Sequence, residues 1–189
     1  MIFWPYPYKR YTNIPFPSYR FIPGLNPHPT EEAEGHSYGK KEENIPWYPP
    51  EQWFRSQQYF YAIDLYNHAY WWEAHEAWEG LWRQPQATYL TEQFLQGLIK
   101  IAAAFLKWEL HQQRGVEYLY SEGIEHLKTV LAEREIYMGI NLIEFITKLS
   151  NHFTIVVADV DRWPDPLENY SFIVLEKEPG RLIEPSVKK

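Results

Sequence analysis

Trp71-Trp72-Glu73-Ala74-His75-Glu76-Ala77-Trp78-Glu79-Gly80-Leu81-Trp82 sets one histidine and three carboxylates among four tryptophans. Each helical residue turns about 100° from the last. On a helix reaching back to residue 68, His68, Trp72, His75 and Glu79 therefore share one stripe, with Glu76 on its flank. Trp71, Trp78 and Trp82 lie near one another around the same helix and read most simply as core. Ionisable groups are seldom buried unless paired, hydrogen-bonded or metal-bound, so this helix is the expected seat of function.

Upstream, the helical register begins near Pro50 with Phe54, Phe60, Ile63 and Tyr66, and it stops at Pro85, because the residue before a proline avoids the helical region. A second helix is predicted over about 88–112, where Leu90, Phe94, Leu98, Ile101, Phe105 and Trp108 form a stripe and Gln93, Gln96, Lys100, Lys107 and His111 a narrow polar edge. It should be central, with Gly97 and Ala102-Ala103-Ala104 permitting close helix contact. Past Gly115, Val116 to Leu131 follow amphipathic spacing, and Leu142, Phe145, Ile146, Leu149, Phe153, Val156 and Val157 repeat it. The run Phe153 to Val157 also has strand character, and Phe172-Ile173-Val174-Leu175 is the best strand candidate in the tail. Short connections favour antiparallel neighbours. The fold expected is all-α: a four-to-five-helix antiparallel bundle over 51–160, an extended proline and aromatic arm over 1–50, and an irregular C-terminal tail over 161–189.

The arm is expected because ten of the 15 prolines fall in the first 50 residues, interleaved with aromatics as in Trp4-Pro5-Tyr6-Pro7-Tyr8 and Phe16-Pro17-Ser18-Tyr19. Such a stretch forms neither helix nor central strand, and its rings predict docking on the body or on a partner. At 189 residues, 45% hydrophobic and 18% aromatic, the chain suits one folded core. A net charge of −7 with no clustered basic face argues against nucleic acid. No stretch has the length of a membrane span or the build of a signal peptide, so a cytoplasmic protein is expected, with a small-molecule or protein partner or a second copy of itself. Without cysteine there is no disulfide, thiolate nucleophile or Cys-ligated metal. Ser56, Ser121 and Ser150 stand in no Gly-x-Ser-x-Gly elbow.

Tyr66-Asn67-His68-Ala69-Tyr70-Trp71-Trp72-Glu73-Ala74-His75-Glu76-Ala77-Trp78-Glu79 with Trp82, then Phe94-Leu95-Gln96-Gly97-Leu98-Ile99-Lys100-Ile101-Ala102-Ala103-Ala104, then the helix at Gly115, together resemble the domain of unknown function 309 family over about 58–150. Tyr19 to Pro29 and Gly35-His36-Ser37-Tyr38-Gly39 resemble the leader of a subset of its members. The resemblance implies a small helical bundle of no established activity, with members sometimes labelled predicted metal-dependent hydrolases. Gly115-Val116 departs from the Gly-Ala often found there, which bears on packing more than on chemistry.

His75-Glu76-Ala77-Trp78-Glu79 is a near relative of the zinc pattern His-Glu-x-x-His, with Glu79 in place of the second histidine. Read as chemistry, His75 and Glu79 hold a divalent metal, zinc or manganese, His68 supplies a third ligand, and Glu76 is the general base toward a metal-bound water. Trp72, Glu73, Gln96, His28 and His36 would line the pocket, and His28, His36 and His111 are further ligand candidates. Read as structure, His75, Glu76 and Glu79 form a hydrogen-bonded network with Gln96 or with the arm, in a binding or scaffold module without catalysis. His28 and His36 then lock the arm onto the bundle.

Overall fold

The computed structural model describes residues 8–40, 45–158 and 163–176, without the side chains of 155–158. The first seven residues of the arm, the side chains of Val156 and Val157 and the end of the tail lie outside it. A 3-10 turn, Pro50–Arg55, leads into α1, Gln57–Asn67, whose N-terminal Tyr59 N–H is capped by the Ser56 hydroxyl. Then come α2, Trp71–Trp82; α3, Tyr89–Glu109; α4, Gln113–Leu131; β1, Ile136–Tyr137; β2, Ile140–Asn141; and α5, Leu142–Ala158. The bundle is all-α, as expected, and consecutive helices pack on one another. None of these helices is long and apolar enough to cross a membrane.

Two departures matter for function. The predicted continuous helix over 50–82 breaks between Asn67 and Trp71. Tyr70 N–H donates to Leu65 O at 2.9 Å and Ala69 N–H to Tyr66 O at 3.1 Å, with Ala69 left-handed at φ 59°. This is the Schellman ending of a helix, built on alanine where glycine is usual. α3 closes in the same way around His111, at φ 54°. The second departure is a minimal hairpin, β1–β2, before α5. Of the strand candidate in the tail only Leu175 pairs, in an isolated bridge to Ile140, and Phe153 and its neighbours are helical.

α3 is central. Phe94, Leu98, Ile101, Ala102, Phe105 and Trp108 are all buried, as are Trp71 and Trp78 of α2, while Trp82 is half-buried against the core. The approach of α3 to α4 depends on two glycines: a Cβ on Gly97 would lie 2.7 Å from the Leu127 side chain and 3.2 Å from the Gly123 carbonyl. The tail is irregular yet deeply inserted, with Tyr170, Ile173 and Leu175 buried. Asn67 clamps it by donating to Ile173 O at 2.9 Å and accepting Ile173 N–H at 2.8 Å. Tyr170 hydroxyl donates to Tyr66 O and accepts the Trp71 indole N–H, both at 2.8 Å.

Candidate functional site

α2 presents its polar groups on two different sides. One carries His75, Glu76 and Glu79, which offer a ligand atom each, all within 4.8 Å of one another. His75 Nδ1 lies 3.5 Å from Glu76 Oε1, and Glu79 Oε1 lies 3.1 Å from Arg83 Nη2. The group is half-exposed, and the partly solvated Glu79–Arg83 pair adds less than about 1 kcal/mol. Tetrahedral ligand atoms around zinc stand roughly 3.4 Å apart, so these side chains must rotate inward to share an ion. All three come from a single helix. If Glu76 is a ligand, it cannot also serve as the base.

His68, placed on the same stripe by the continuous-helix reading, is carried off it by the break at Ala69. Its Nδ1–H donates to Asp64 O at 2.8 Å and its ring packs 4.9 Å from Phe16 of the arm. Gln96 makes no hydrogen bond with the His75 group, so the expected network linking them does not form. His111 stacks on Trp163, 5.2 Å away, and stands apart from the group.

The other side of α2 holds the arm. Glu73 is buried, and its Oε1 accepts the Phe21 N–H at 2.8 Å and meets His36 Nε2 at 3.1 Å, while Oε2 is enclosed without a partner. Burial pushes the Glu73 carboxyl above its ordinary pKa, against the pull of the backbone hydrogen bonds and of His36. Trp72 meets Phe21 and His28 edge-on, at 5.4 and 5.7 Å. His28 Nδ1 accepts the Glu31 N–H at 3.3 Å, tying its own turn. Thus His36 and His28 both hold the arm in place, as the structural reading proposed, but through Glu73 and Trp72 instead of the His75 group.

Residue-by-residue reading missed two anchors of the arm and one contact within it. Asp64 is fully buried and accepts Tyr11 N–H at 2.7 Å, Thr12 N–H at 2.8 Å and the Thr12 hydroxyl at 2.7 Å. Its signal was a carboxylate inside the apolar run Ala62-Ile63-Asp64-Leu65-Tyr66. Arg20 and Glu109 form a two-pronged pair, both contacts at 2.6 Å. Ser37 hydroxyl lies 2.9 Å from His36 Nδ1, and Gly35-His36-Ser37-Tyr38-Gly39 spells Gly-x-Ser-x-Gly.

Docking of the arm forms a half-open cavity of about 540 Å³ between Phe16, Tyr19, Arg20, Ile22, Leu25 and Asn26 on one side and His68, Tyr70, Glu109 and Leu167 on the other. None of His75, Glu76, Glu79 or Gln96 lines it.

A helical domain clasped by its own N-terminal segment, with a cavity under the clasp and a half-exposed His/Glu group apart from it, defines the class. Residues 59–119 match the family model of DUF309, a domain of unknown function, which supports assigning this segment to that family. The match takes in α1, α2, α3 and the start of α4, and hence both sides of α2. No curated protein matches the chain.

Proposed function

We propose that this chain is a binding protein for a small, mainly apolar molecule, held in the cavity between arm and bundle. The observation that carries the reading is that the arm supplies six of the cavity's ten lining residues and is fixed there by three separate polar anchors, at Asp64, Glu73 and Glu109. Concave, largely apolar sites with a few convergent polar groups are the usual form of ligand pockets. The ligand favoured is uncharged, since Arg20 and Glu109 neutralise each other. A flat ring suits the stack of Phe16 on Tyr70, 4.9 Å apart, and a hydrogen-bond donor suits His68 Nε2, whose tautomer is set by the Nδ1–H bond to Asp64 O. Indole is a suitable first probe. Ligand-detected NMR on the full chain should show indole binding, and Leu167→Trp, which fills the cavity, should remove it without lowering the melting temperature. Absence of binding by indole and by a panel of neutral aromatics would sink the reading.

A second reading rests on the proximity of His75, Glu76 and Glu79. These residues offer one imidazole and two carboxylates to a zinc or manganese ion, leaving coordination positions for water and hence the option of hydrolysis. Calorimetric titration with Zn²⁺ and Mn²⁺ should then give one site per chain that His75→Ala abolishes; heat unchanged by that substitution would remove this reading.

A further inference from the structure

Beyond either reading, we propose that Ser37, His36 and Glu73 form a serine nucleophile with its base and orienting acid, able to cleave small acyl esters. The three are hydrogen-bonded in series: Ser37 Oγ to His36 Nδ1 at 2.9 Å, and His36 Nε2 to Glu73 Oε1 at 3.1 Å. A carboxylate oxygen only accepts, so toward Glu73 Oε1, which also takes the Phe21 N–H, neutral His36 presents its proton on Nε2. Nδ1 is then the lone-pair nitrogen, and it faces the Ser37 hydroxyl. Nucleophile bonded to base and base bonded to a third group is the arrangement that activates a serine. The His36 and Glu73 side chains are each only 5% exposed, which keeps the relay out of water, while Ser37 is half-exposed and reachable.

The loop that carries the serine is held rigidly. Ser37 N–H donates to Pro29 O at 2.9 Å and Tyr38 N–H to Gly35 O at 3.0 Å, while Gly35 sits so close to the His28 carbonyl that a Cβ would approach it to 2.2 Å. Tyr19 packs its ring on His36 at 4.7 Å and accepts the His36 backbone N–H. Two residues past the serine, the Gly39 N–H has no acceptor among the described residues, and none of their atoms beyond its chain neighbours comes within 4 Å of a Cβ built on Gly39. Although the pattern is Gly-x-Ser-x-Gly, no strand-to-helix elbow is present and the ring faces serine with Nδ1. Activation of Ser37 therefore comes from the hydrogen-bond chain and not from an elbow.

In the reaction, Ser37 Oγ bonds to the ester carbonyl carbon as its proton passes to His36 Nδ1. Collapse of the tetrahedral adduct breaks the bond to the alcohol oxygen, which takes that proton and leaves as alcohol. Water, deprotonated by His36, then attacks the acyl-serine and releases the carboxylic acid and the Ser37 hydroxyl.

The test uses the full untagged chain in EDTA, with a fluorophosphonate and p-nitrophenyl acetate as probes. One phosphonyl adduct per chain should appear on the peptide bearing Ser37, and ester turnover should vanish in Ser37→Ala at an unchanged melting temperature. Glu73→Gln retains an acceptor for Phe21 and His36 but lacks the charge, and should slow labelling by roughly tenfold or more. No adduct, an adduct elsewhere, turnover surviving in Ser37→Ala, or full-speed labelling of Glu73→Gln would each overturn the proposal. Were Ser37→Ala to misfold, the position of the adduct on the unaltered chain decides alone.

Discussion

Asp64 and Glu73 stand one on α1 and one on α2, each a buried carboxylate whose hydrogen bonds run to backbone of the arm. Hydrogen bonds to charged groups contribute more than neutral ones, and removing one member strands the others. Asp64→Ala leaves two backbone N–H groups and the Thr12 hydroxyl without their acceptor, and should cost about 3 kcal/mol, read as a lower urea midpoint together with faster proteolysis between residues 12 and 20. Glu73→Ala should cost about 2 kcal/mol by the same measurement, whereas Glu73→Gln, which retains an acceptor and sheds a desolvated charge, should stay within about 1 kcal/mol of the unaltered protein. If Asp64→Ala melts like the unaltered chain, the arm is not held as described.

At the scale of elements, the turn between α1 and α2 decides which residues meet. Ala69 holds a left-handed conformation that disfavours any Cβ, and it is buried. Ala69→Gly relieves that strain at the expense of a more flexible unfolded chain, and the net effect should be a gain of about 0.5 kcal/mol; Ala69→Val should lose about 2 kcal/mol or more, since a branched side chain fits neither the dihedral nor the space. Thermal melts of the two variants, moving in opposite directions, check the assignment. The α3–α4 contact gives a parallel case: Gly97→Ala pushes a methyl into Leu127 and should cost about 2 kcal/mol, with little of it recovered by the helix preference of alanine.

For the whole molecule, His152 links α5, α3 and the tail. It is buried among Phe105, Trp108, Phe153 and Tyr170 with Nε2 unpartnered. Burial pushes its pKa down from 6.5 to about 4, while Nδ1 has only a long contact, 3.4 Å, to the Ser171 hydroxyl. The unfolded chain therefore takes up a proton before the folded one does. Stability is complete above about 6.5 and declines as pH falls toward about 4, by up to about 3 kcal/mol. Glu73, with its raised pKa, works in the opposite direction, so the decline belongs to His152 and not to that carboxylate. Melting temperatures at pH 7, 5.5 and 4.5 should fall steeply in the unaltered protein and much less in His152→Leu; equal slopes would remove His152 as the cause.

Helix periodicity is a local property, so the four helical stripes, the core tryptophans Trp71 and Trp78, the central position of α3 and the glycine contact at Gly97 were all legible from residue order alone. So was the exceptional character of α2, with its carboxylates and histidine among aromatics. What could not be read was which face of α2 the arm would claim. That depended on a left-handed alanine, for which no glycine gave warning, and on hydrogen bonds between residues 52 apart in the chain, Thr12 with Asp64 and Phe21 with Glu73. Spacing places side chains around one helix axis, but only tertiary contacts decide whether a second helix continues that axis and which polar atoms find each other across it. His68 was thereby moved from the metal stripe to the cavity wall, and Glu73, His36 and Ser37 were brought into line.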